Sequence, residues 1–96
     1  MNQRMNPNML SSYATTVSFG GNYTVVTYQS TQIVRFNSEE VLLNSGGFLS
    51  STTKRKMNQA SNQFHLGYQV YQEDFTWYVV FKGETKLFND GMILKR

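Results

Sequence analysis

The chain has 96 residues, 40% hydrophobic and 15% aromatic, which supplies a core for one domain and too little length for two. It has no cysteine, which removes disulfides, thiolate chemistry and cysteine-based zinc sites and fits a reducing cytoplasm. Its net charge of +3, from nine basic and six acidic residues, permits nucleic-acid binding without demanding it and disfavours a mimic of the DNA backbone.

Residues 1–12 are polar and rich in Asn and Met, with Pro7 the only proline, and read as a flexible N-terminal arm. They lack the apolar core of a signal peptide. The domain proper is expected over 13–96. Tyr13 to Phe19 forms a first short strand, and Gly20-Gly21-Asn22 turns the chain. Tyr23 to Tyr28 is rich in β-branched and aromatic residues and reads as a strand, with Tyr23, Val25 and Thr27 on one face and Thr24, Val26 and Tyr28 on the other. Gln32 to Phe36 follows, with Ile33 and Arg35 opposite Val34 and Phe36. Val41 to Asn44 is a short apolar strand, broken by Ser45-Gly46-Gly47.

The one helix runs from Ser50 through Phe64. At about 100° per residue, Thr53, Met57, Ala60 and Phe64 share a narrow apolar face, and Arg55, Asn58, Gln59 and Asn62 share the opposite one. Ser50 to Thr53 offer hydroxyls to the first free N–H groups, and Gly67 can stop the helix in a left-handed conformation. Lys54, Arg55 and Lys56 lie in the first turn, where the helix dipole prefers acids. Three cations beside free N–H groups make an anion site. A solvated basic patch on a basic chain explains the same residues.

Beyond the helix, Tyr68 to Gln72 and Phe75 to Phe81 form a hairpin across Glu73-Asp74, with Phe75, Trp77, Val79 and Phe81 on its core face. Both faces of the second strand are partly apolar, so it is central in its sheet. Thr85 to Phe88 returns, and Met92 to Leu94 forms a last edge strand. The pattern predicts an α+β domain: an antiparallel sheet of about five to seven short strands, bent or split, packed around one helix. Met57, Ala60 and Phe64 should meet Trp77, Val79, Phe81, Val25 and Ile33.

From Val41 onward, Leu43-Asn44-Ser45-Gly46-Gly47, Thr52 through Gln59, Asn62-Gln63-Phe64, Gly67 through Gln72, Trp77-Tyr78-Val79, Lys82-Gly83-Glu84 and Asp90-Gly91-Met92 make up a pattern that resembles a family of small phage proteins. The likeness covers the C-terminal two thirds, extends weakly to the strand at Tyr23 and leaves the arm without a counterpart. It implies a phage or prophage origin and expression in a bacterial host cytoplasm. It brings no activity or catalytic residue with it.

Most chemistry finds no support in the residues. His65 is the single histidine, so a three-ligand zinc site would need a forced pairing with Glu73 and Asp74. A histidine at a helix end is the simpler reading. No Gly-x-Ser-x-Gly elbow exists, and Ser45-Gly46-Gly47 lacks the ending of a phosphate loop. Glu39-Glu40 and Glu73-Asp74 are adjacent acids at turns, which point apart or are simply solvated. No cofactor and no enzymatic activity are expected. No stretch of about 18 apolar residues exists to span a membrane.

Two binding roles remain. In the first, Lys54, Arg55 and Lys56 neutralise phosphates of a nucleic acid or other polyanion. Asn58, Gln59 and Asn62 then read base edges, and Tyr71 and Tyr78 stack bases from the less buried sheet face. In the second, the same patch and aromatic anchors bind a host protein, such as a component of a bacterial defence system, as an anti-CRISPR-like inhibitor would. An exposed edge strand also offers a route to a homodimer.

Overall fold

The computed structural model of the protein describes residues 10–96. Its elements follow in the order β1 (Thr15–Gly20), β2 (Tyr23–Tyr28), β3 (Thr31–Phe36), β4 (Glu40–Leu43), α1 (Ser51–Phe64), β5 (Tyr68–Glu73), β6 (Thr76–Phe81), β7 (Glu84–Leu87) and β8 (Met92–Lys95). The strands form two antiparallel sheets, one of five strands in the order β1-β2-β3-β4-β8 and one of three in the order β5-β6-β7. This is the expected α+β fold, with the sheet split and strands on both sides of the helix in sequence, but with eight strands among the described residues where about five to seven were expected. No helix among the described residues is long and apolar enough to cross a membrane.

The helix follows its sequence signals. Ser50 caps it in the extended region, its Oγ accepting from the Thr53 N–H at 3.1 Å. The stop comes at His65, whose φ of 56° carries the left-handed cap ahead of Gly67. Thr53, Met57 and Ala60 are buried, and the Phe64 ring lies 5.1 Å from that of Phe36. Tyr68 is buried beside them, its hydroxyl donating to the Met57 carbonyl at 2.6 Å. Trp77, Val79, Val70 and Leu94 complete the same core.

Three expectations need correction. Val25 faces away from the central core, and Val26 takes its place there. A β-bulge shifts the β2–β3 register after Val26, so Ile33 and Val34, expected on opposite faces, are both buried. The β5–β6 turn is Asp74-Phe75 instead of Glu73-Asp74, because Glu73 pairs with Thr76. Both turn residues have positive φ, 52° and 66°, as a type I′ hairpin requires. Phe75 is thereby turned out of the core and is 94% exposed.

The helix is held on more sides than one apolar stripe would suggest. Asn58 Nδ2 donates to the Val70 carbonyl at 2.8 Å, and its Oδ1 accepts from the Val70 N–H at 2.7 Å. One turn on, Ser61 Oγ does the same for Tyr68, donating at 2.7 Å and accepting at 3.1 Å. Lys54 Nζ reaches Gln72 Oε1 at 3.4 Å. Helix residues 54, 58 and 61 therefore run along β5 residues 72, 70 and 68, and close the edge that another strand would otherwise take.

The opposite flank is covered by the chain leading into β1. Leu10 packs against the core, and its N–H donates to Gln63 Oε1 at 3.0 Å. Lys56 Nζ donates to Ser11 Oγ at 2.8 Å. Leu10 and Ser11 belong to the stretch expected to be a flexible arm; residues 1–9 of that arm lie outside the described residues. On the outer face of the five-stranded sheet, Tyr23 donates to Glu40 at 2.8 Å, Lys95 lies 3.4 Å from Glu40, and Arg35 lies over the Tyr23 ring.

Candidate functional site

The first turn of α1, Ser51 to Lys54, contains no acid; Lys54 closes it, and Arg55 and Lys56, expected in it, open the second turn because the helix starts at Ser51. Successive residues on a helix leave its axis about 100° apart, so the three diverge. Lys54 leans toward β5, its Nζ near Gln72 and 5.9 Å from the Trp77 ring. Arg55 is exposed to solvent. Lys56 turns the other way and is almost wholly enclosed, its Nζ on Ser11 and 5.3 Å from the Tyr28 ring. Burial lowers the Lys56 pKa from its ordinary value, and the neighbouring Arg55 charge lowers it further.

Arg55 and Lys56 border a groove of about 680 Å³ between the helix start and the chain around β1 and β2. Gln59 and Thr52 line its helix wall; Tyr13, Ser11 and Tyr28 line the other. Tyr13 is 70% exposed and Tyr28 half-buried, so the groove has aromatic surface beside its cations. None of the six acids of the chain lines it. A second cavity of about 330 Å³ shares Tyr28 and Thr52 with it. Thr31, Ser45, Ser50 and Thr53 give that cavity a hydroxyl-rich wall, and Phe48 gives it an exposed ring.

The residues expected to form one binding face are thus divided among several places. Arg55, Lys56 and Gln59 meet in the groove. Gln59 is buried there instead of lying on an exposed face. Asn58 has both ends of its amide engaged on Val70, and with Lys54 belongs to the β5 flank. Asn62 is exposed and lines a separate depression with Gln69. Tyr71 and Tyr78 stand opposite each other on the outer face of the three-stranded sheet, rings stacked at 5.4 Å and 24°. Among the described residues, no three His, Asp or Glu side chains come together as metal ligands would.

Four groove residues escaped the sequence: Ser11, Tyr13, Tyr28 and Thr52. The alternation along β2 does put Tyr28 on the same face as Val26. Nothing in the sequence places Ser11 and Tyr13 across from the helix, because that depends on how the chain enters β1.

The chain matches the family model for the Kyanoviridae Gp96 protein over residues 1–95, and it belongs to that family of phage proteins. The match includes the N-terminal stretch, which the resemblance read from the sequence left without a counterpart. No curated protein and no solved structure matches the chain.

Proposed function

We propose that this phage protein is a non-enzymatic accessory factor that binds nucleic acid, in the host cytoplasm, through the groove at the start of α1. One observation supports the reading above others: Arg55 and Lys56 sit beside Tyr13 and Tyr28 in one groove that no acid lines. Arg55 has a free planar fork suited to a phosphate. The exposed Tyr13 ring offers a face on which a base can stack, and such stacking tolerates any sequence. The dipole of a 14-residue helix adds to the field at the same end.

The test is fluorescence anisotropy with labelled single- and double-stranded DNA and RNA across a salt series. The expected ligand is single-stranded, because a base must leave its stack to reach Tyr13. Arg55 is the exposed cation of the groove, Lys56 being enclosed on Ser11, and one neutralised phosphate gives a slope of log K against log salt of about −0.7. Absence of binding at low salt removes the reading.

A host-protein contact is the second reading, and one different observation favours it. Phe75 is a bulky residue held at φ 66° on a hairpin tip, and its ring is 94% exposed. Such an arrangement costs stability and gives no packing in return. A ring so placed suits insertion into an apolar pocket of a partner. Capture of a single host protein by the wild type and its loss with Phe75→Ala would support this role.

A further inference from the structure

The molecule has four sheet edges, and they are not alike. The outer edge of β5 is closed by Asn58 and Ser61. β7 is four residues long and carries Glu84 and Lys86. β8 is four residues long and carries Lys95. Shortness and charge are the usual guards of an edge. β1 has neither: it is six residues, Thr15–Gly20, with no charge and no proline. Among the described residues, no strand pairs with its outer side.

The register shows what that edge presents. The Gln29 N–H donates to the Ala14 carbonyl at 2.7 Å, one of the two bonds of a hydrogen-bonded pair, which sets the phase of the antiparallel ladder just beyond Thr15 and Tyr28. Such pairs alternate, and Thr16, Ser18 and Gly20 therefore turn their backbone groups toward β2. Val17 and Phe19 turn theirs outward. Their side chains project on the face that carries Val26 and Thr24, past the end of the core, and are 38% and 81% exposed.

We infer that β1 pairs antiparallel with β1 of a second copy of this chain, with Val17 on the two-fold axis. This register is self-complementary and central on the strand: Val17 exchanges both backbone bonds with its own counterpart, and Phe19 stands opposite Thr15 of the other copy, which offers its carbonyl alone because its N–H already donates to the Ser12 carbonyl. Phe19 then lies diagonally across from Val17 of the partner copy, within reach for an aromatic ring. The two five-stranded sheets become one of ten strands. No like charges face each other across the seam, because β1 has none. A two-fold axis also places two basic grooves on one assembly, so the dimer would bind a long strand more tightly than either groove alone.

The experiment is sedimentation velocity over a concentration series, with a thermal melt of every variant. Wild type is expected to pass from monomer to dimer as concentration rises. Val17→Pro removes the central outward N–H without touching a bond to β2, and is expected to weaken association about ten-fold or more. Phe19→Lys places a guard charge on an exposed position and is expected to do the same with an unchanged melt. Lys95→Thr on β8 should leave the dimer intact. Wild type that stays monomeric throughout overturns the inference. So does a dimer that survives both β1 variants. Should Val17→Pro fail to fold, Phe19→Lys decides alone. Nucleic-acid binding is read separately, so a monomer that binds leaves the groove standing.

Discussion

The Asn58 amide hydrogen-bonds both backbone groups of Val70, at 2.8 and 2.7 Å, so a helix side chain stands where a neighbouring β-strand would. Asn58→Ala should therefore cost about 1–3 kcal/mol, because two strand-edge groups lose their partner together. Asn58→Asp keeps the acceptor and loses the donor, and should fall between. Urea unfolding checks the order. An Asn58→Ala midpoint equal to wild type would mean that water serves this edge equally well.

Gly46 is the tightest glycine in the chain. Its φ is +68°, and a Cβ there would lie 2.7 Å from Thr31 Oγ1 and 2.9 Å from Thr31 Cγ2. Gly46→Ala should destabilise by about 1–2 kcal/mol from backbone strain, with the steric conflict added. Thr31→Ala removes both colliding atoms. The double variant should recover the steric share and keep the strain, and a thermodynamic cycle measures the split. Strict additivity of the two changes would contradict the contact.

Phe75 tests whether its strain is real. Type I′ turns favour glycine, and Asp-Gly is the ordinary choice. Phe75→Gly should stabilise the free protein by about 1 kcal/mol, since an exposed ring has no packing to lose. A lower melting temperature would show that the ring packs in solution.

Glu40 gives the fold an acid sensitivity. Its pKa is lowered from the ordinary value, first by the hydrogen bond from Tyr23 and then by Lys95, with burial opposing. A carboxyl depressed on folding stabilises the native state above its unfolded pKa. That contribution fades as pH falls through the folded value. Wild type should lose melting temperature below the ordinary glutamate range, and Glu40→Gln should lose less over the same interval. Parallel curves would remove Glu40 as a source.

Local pattern explains most of what the sequence made legible. Alternating β-branched residues marked Tyr23–Tyr28, and the spacing of Met57, Ala60 and Phe64 marked the helix and its core face. The errors arose where one residue changes the count. A bulge at β3 moved Ile33 and Val34 to the same side, and a left-handed turn moved Phe75 from core to solvent. Helical periodicity identifies one buried face; α1 is also covered on both flanks, which is why Asn58 and Gln59 looked like surface. Arg55 is a candidate in the sequence and lines the groove. Its neighbours Tyr13 and Tyr28 are not candidates there, because the approach of the β1–β2 hairpin to the helix is a tertiary fact.

The central claim is that the groove, and not the overall basic charge, binds nucleic acid. The most direct measurement compares Arg55→Glu with Lys82→Glu, which changes net charge equally at a turn outside the groove. Affinities for one single-stranded oligonucleotide would be measured at the same low salt. The groove account predicts that Arg55→Glu loses affinity about ten-fold or more while Lys82→Glu stays within about two-fold. Equal losses for the two variants, or a wild type that does not bind, would contradict it.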